Sequence, residues 1–182
     1  MRAGKKGLNT SASVTGTAGF SRCRRYRYWL RRHWDPLLPQ CVFIGLNPST
    51  ADARSDDPTL RRCLNFAKDW GYGSLLMVNL FAYRATDSRE LERVADPVGA
   101  RTNLWLRRAR AEADLIVAAW GNGGQLLGRA QAVEIWLGDS QCLGVTAQGM
   151  PRHPLYCART AGPKPWQGTL GEGSDLPLGG NL

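Results

Sequence analysis

The chain has 182 residues, 43% of them hydrophobic, which suffices for one domain with a buried core. Its net charge is +9, from 24 Lys and Arg against 15 Asp and Glu. Nearly all the cations are arginine, the side chain suited to forked phosphate contacts, so an anionic partner is expected and nucleic acid comes first. The five cysteines form no C-x-x-C pair and no metal-ligand spacing, and only two histidines are present, which argues against zinc and iron–sulfur chemistry. No apolar run is long enough to span a membrane and the N-terminus has no apolar signal core, so a reducing cytoplasm is the expected setting.

In chain order, residues 1–20 are rich in Gly, Ser, Thr, Ala and Lys and are expected to be disordered, as is the Gly/Pro-rich tail 161–182. Between them, 21–160 read as one α/β domain. Arg24 to Trp34 alternates Tyr26, Tyr28 and Leu30 with arginines, the pattern of an edge strand with one apolar and one cationic face. Cys41 to Leu46 is a buried strand. Asp56-Asp57-Pro58-Thr59 is a helix start, with an Asp cap and Pro in the first turn. Leu60, Cys63, Leu64 and Ala67 continue that helix until Gly71 and Gly73 end it.

Ser74 to Phe81 is a second buried strand broken only by Asn79, and Ser88 to Val94 a short helix. Asp96-Pro97 is expected to open a longer helix through Leu104, Trp105 and Ala109. Leu115 to Trp120 is a third strand, followed by a glycine turn and a helix to about Leu137. A fourth strand is expected near Cys142 to Ala147, then a loop, Met150 to Tyr156. Strands alternating with helices imply βαβ units: a three-layer α/β/α sandwich around a mostly parallel four-stranded sheet, plus the N-terminal edge strand.

The chemistry is expected at the carboxyl edge of that sheet. Three strands end in a polar residue beside a glycine: Gly45-Leu46-Asn47-Pro48-Ser49, Asn79, and Trp120-Gly121-Asn122. The fourth runs into the loop carrying His153. Pro48 restricts Asn47 to extended backbone, which would hold its amide in place, although Asn-Pro is also an ordinary turn dipeptide. Each residue has a plainer structural alternative. Asn79 satisfies a neighbouring loop, His153 sits on the surface, Trp120 and Phe66 belong to the core, and the arginine clusters form solvated faces.

These motifs, in this order over residues 41–156, resemble the uracil-DNA glycosylase superfamily. That superfamily has a Gly-x-Asp/Asn-Pro turn, as in GQDPY and GINPG, then a strand ending in a base-reading Asn, an LLWG-type strand and a His-Pro-Ser loop. More narrowly, GLNPSTAD, DDPT, WGYG, VNLFAYRATD and DPVG resemble a bacterial domain-of-unknown-function family, which brings no established activity with it. The superfamily resemblance implies an enzyme that hydrolyses the N-glycosidic bond of a base in nucleic acid, DNA ahead of RNA, or in a nucleotide. No cofactor, metal, membrane or obligate protein partner is implied.

By that resemblance Asn47 orients water, Asn79 reads the base and His153 stabilises the departing base, within a pocket of Gly45, Leu46, Pro48, Ser49, Trp120 and Gly121. Phe66 would lie under the base, and Arg27, Arg31 and Arg152 would hold phosphates. The tyrosine of GQDPY and the full wedge loop are absent, so a non-catalytic module binding a modified base or a strand is the alternative. The acidic turn of Asp52, Asp56 and Asp57 has no counterpart in the superfamily motif. Asp52 is a candidate general base or sugar ligand, the turn is a candidate Mg²⁺ site for phosphate chemistry, and Asp57 also reads as only a helix cap.

Overall fold

A computed structural model describes residues 13–168. Seven strands form one sheet: β1 (Thr15–Phe20), β2 (Arg27–His33), β3 (Gln40–Gly45), β4 (Ser74–Asn79), β5 (Leu115–Ala118), β6 (Ser140–Cys142) and β7 (Lys164–Trp166). Their spatial order is β1-β2-β4-β3-β5-β6-β7. The inner four, β4-β3-β5-β6, are parallel, while β1, β2 and β7 add to the two sides antiparallel.

The apolar runs of β3 and β4 follow from burial on both faces. Cys41, Phe43, Leu75, Met77 and Val117 face α1 (Pro58–Asp69), packing with its Leu60, Cys63, Leu64 and Ala67. Val42, Ile44, Leu76, Val78 and Ala118 face the opposite way. They meet Leu106 and Ala109 of α2 (Thr102–Glu112) and Ala130, Val133 and Leu137 of α3 (Arg129–Leu137). The result is a three-layer α/β/α arrangement.

Several sequence expectations are corrected. The sheet has seven strands rather than four and an edge. The Arg/Tyr strand is β2, and it is not an edge, because β1 pairs with it through residues expected to be disordered. Likewise β7 lies within the stretch taken as tail; the remaining terminal residues, 1–12 and 169–182, lie outside the described range. The cationic face of β2 is not solvated either: Arg27 and Arg32 are buried, 2% and 3% exposed. Arg32 instead fastens the loop after β3, donating to Asp56 Oδ1 (2.6 Å) and to the Asp52 carbonyl (2.7 Å).

Helix α2 starts at Thr102 rather than at Asp96-Pro97, because Asp96 Oδ1 accepts from Gly99 N (2.8 Å) in a turn where Gly99 takes φ 83°. Residues Ser88–Glu92 and Asn122–Gly128 form tighter 3₁₀ turns. The fourth parallel strand is β6, displaced toward the N-terminus of the expected segment, since Gly144 at φ 137° breaks the extended run.

Candidate functional site

Parallel strands deliver their carboxyl ends to one edge. The chain leaves β3 for β4 on one side, then crosses to β5 on the other, and the crevice between such diverging connections is where an α/β sheet opens. A cavity of about 400 Å³ lies there. Gly45, Leu46, Asn47 and Ser49 reach it from β3, Asn79 from β4, and Trp120 and Gly121 from β5. His153, Pro154, Leu155 and Tyr156 come from the loop after β6. The convergence expected from topology is therefore present.

Each side chain has a local reason for its position. The turn after β3 stays tied to the segment after β4: Leu80 N donates to the Gly45 carbonyl (3.0 Å), Phe81 N to Leu46 (2.9 Å) and Ala85 N to Pro48 (3.0 Å). Asn47 completes this lattice by donating Nδ2 to the Ala85 carbonyl (2.8 Å) and the Pro48 carbonyl (3.1 Å). Two acceptors on one amide end identify it as the NH₂ group, leaving Oδ1 as the acceptor.

Asn79 is 3% exposed and its Nδ2 has no hydrogen-bond partner. Gly45 lies against it: a methyl at that position would stand 2.7 Å from Asn79 Oδ1, so the amide occupies space that only glycine leaves open. Gly121, at φ 66°, turns the chain after β5 and donates its N–H to the Pro151 carbonyl (2.8 Å), which ties the histidine loop to the sheet edge.

His153 accepts from Leu155 N at Nδ1 (3.4 Å), so its neutral form carries the proton on Nε2. Burial pulls its pKa below the usual 6.5, while the nearby Asp57 carboxylate opposes that shift. Arg27 lines the same cavity, donating Nη1 to the Ala51 carbonyl (2.6 Å) while its Nε has no partner. Burial lowers its pKa to about 10, against the pull of Asp57, and it stays cationic at neutral pH.

Asp57 is the residue the sequence reading undervalued. It caps α1, accepting from Leu60 N at 2.7 Å, and it also forms part of the cavity wall, 9% exposed. The signal was available: a helix that follows a parallel strand starts at the strand's carboxyl edge, so its cap belongs to the ligand side. Asn122, expected at this edge with Trp120 and Gly121, lines the cavity, and so do Thr86 and Ser88, which were not anticipated there.

Other candidates fall elsewhere. Phe66, on α1, is 1% exposed, stacked on Trp70 at 5.3 Å, and does not line the cavity. Asp52 spends Oδ1 on the N–H groups of Arg54 and Ser55 (2.8 and 2.9 Å) and is not part of the wall. With Asp56 paired to Arg32 and Asp57 capping α1, the three acidic residues hold separate structural partners. Among the described residues no group of three or more His, Cys, Asp or Glu is arranged to hold a metal. Arg31 pairs with Glu112 of α2, and Arg152 donates to the Val145 carbonyl (3.2 Å); neither reaches the cavity. Pro48 shapes the turn without lining it. Trp120 borders the cavity but is 1% exposed and packed edge-on against Trp166. No helix among the described residues is long and apolar enough to cross a membrane.

No curated protein and no solved structure matches the chain. A family model does, over residues 27–155, a span that starts at the buried Arg27 and ends within the histidine loop. The chain belongs to the family described as protein of unknown function DUF1643.

Proposed function

We propose that the cavity binds a nucleobase carried on a sugar and that the protein hydrolyses the bond between them. One observation carries this reading: the asparagine amide of Asn79, almost fully buried with its Nδ2 unpartnered, borders the same cavity as Asn47 and His153. A buried amide without a partner costs about 1–3 kcal/mol, and a ring nitrogen or exocyclic carbonyl of a base would satisfy it.

The chemistry then follows from the remaining groups. Breaking an N-glycosidic bond builds positive charge on the sugar and negative charge on the leaving base. Asn47 Oδ1, with its NH₂ end anchored, accepts from a water and orients it toward the sugar. His153, neutral and carrying its proton on Nε2, donates to an oxygen of the base as negative charge grows there. Asp57 offers a carboxylate in the cavity wall to the cationic sugar and takes the proton that the attacking water gives up, while the base leaves with the electron pair of the broken bond. The order of motifs, which resembles that of the uracil-DNA glycosylase superfamily, supports the same reading.

The test is abasic-site formation on single- and double-stranded oligonucleotides carrying uracil, hypoxanthine, xanthine or oxidised pyrimidines. Cleavage that is lost in Asn47→Ala and His153→Ala is expected. Cleavage that survives both substitutions sinks the assignment. Base binding that needs Asn79 but yields no product favours the reader function, in keeping with the short loop from His153 to Tyr156.

A further inference from the structure

Next to the cavity is a second depression of about 280 Å³, lined by Arg24, Arg25, Ser49, Thr50, Arg84 and Thr86. It shares Ser49, Ala85 and Thr86 with the main cavity, so one ligand can span both. Three arginines line this small opening, and the guanidinium groups of two of them, Arg24 and Arg84, lie over one ring. None of the three is in ion-pair contact with a carboxylate among the described residues. The charge of Arg84 reaches Asp52 only at longer range, and Arg25 instead faces the Cys23 thiol.

The arrangement is built rather than incidental. Arg24 and Arg84 are gathered by one aromatic ring, their Cζ atoms 4.5 and 5.3 Å from the Phe20 centroid. Arg84 Nη1 also donates to the Arg24 carbonyl (3.3 Å), while its Nε is buried without a partner. Arg24 itself holds left-handed backbone, φ 57°, which a side-chain-bearing residue adopts only at a cost in strain. Like charges held together at such a cost are relieved by an oxyanion, and guanidinium forks with flanking hydroxyls match phosphate.

We infer that this depression is a phosphate site, serving the phosphate next to a base seated in the cavity. The anion site rests on the arginines, and its link to a base rests on the function proposed above. The substrate is accordingly a nucleotide or a strand rather than a free nucleoside. This differs from the expectation that Arg31 and Arg152 hold phosphates, since neither lines either opening.

The test uses the full chain and reads backbone amide shifts of Thr50, Ala85 and Thr86 by NMR during titration with inorganic phosphate. Saturable shifts are expected, weakened at least about tenfold in Arg24→Gln/Arg84→Gln and partly restored in Arg84→Lys, with thermal melts confirming the fold. No saturable shifts in the unaltered protein, or shifts unchanged in the double variant, overturn the site. Deoxyuridine, its 5′-monophosphate and a uracil-centred trinucleotide are then compared. A monophosphate or trinucleotide that binds at least about tenfold tighter than the nucleoside, an advantage lost in the double variant, supports the linked site and tells nucleotide from strand. Phosphate shifts at these amides with no base-dependent binding keep the anion site and refute the base reading. Equal affinity for nucleoside and phosphorylated ligands refutes the link.

Discussion

At the residue scale, Asn79 and His153 make opposite demands on the fold. Asn79 leaves a buried donor unpartnered, so its presence is a cost to the empty protein and a gain to a ligand complex. Replacing it with leucine, of similar size, is expected to raise stability by about 1 kcal/mol in thermal melts while base binding is lost. Lower stability in Asn79→Leu would mean that the amide supports the apo fold instead. His153 is pushed the other way by burial, its folded pKa lying below the 6.5 of the unfolded chain. As pH falls below about 6.5, the unfolded chain takes up the proton first, so stability falls until the lower folded pKa is passed. His153→Gln is expected to flatten that part of the stability–pH curve. Glycosidic cleavage by the unaltered protein should keep its full rate below pH 6.5 and decline only when the folded imidazole protonates.

At the element scale, the start of α1 serves both fold and site. Asp57 caps the helix through Oδ1 and places a carboxylate in the cavity wall. Asp57→Ala is expected to cost about 1 kcal/mol, whereas Asp57→Asn retains a cap and costs only a few tenths. Both remove the charge that raises the His153 pKa, so an NMR titration should find that pKa lower in each variant. An unchanged His153 titration in Asp57→Asn would show that the carboxylate does not act on the imidazole. The start of α1 and the strand ends were readable from sequence because Asp57-Pro58, Gly-x-Asn-Pro and the apolar runs act locally, whereas the same pair at Asp96-Pro97 forms a turn. What escaped were features set by distant partners. β1 exists because β2 offers it an edge, and its Gly16 and Gly19 allow the close approach of Arg32 and Trp29. Phe66 looked like a ligand platform, yet its helical phase buries it on Trp70.

At the scale of the whole molecule, the net charge of +9 overstates the surface available to a polyanion. Arg27, Arg32 and Arg129 are buried, Arg31 is paired with Glu112, and Arg62 and Arg110 reach back to the carbonyls of Cys157 and Leu137. These cations hold loops and helices in place. The arginines gathered beside the cavity are Arg24, Arg25 and Arg84, and under the proposed function they would set how binding responds to salt. For a single strand, each neutralised phosphate contributes about −0.7 to the slope of log K against log salt concentration. One phosphate held by these arginines predicts a slope of about −0.7, far below what the net charge would give. Fluorescence anisotropy of a short oligonucleotide across a salt series measures it, and Arg84→Gln should bring the slope toward zero. A slope steeper than about −5, unchanged in Arg84→Gln, would mean that scattered surface cations hold the strand. The cavity and its arginine rim would then not be the place where nucleic acid docks.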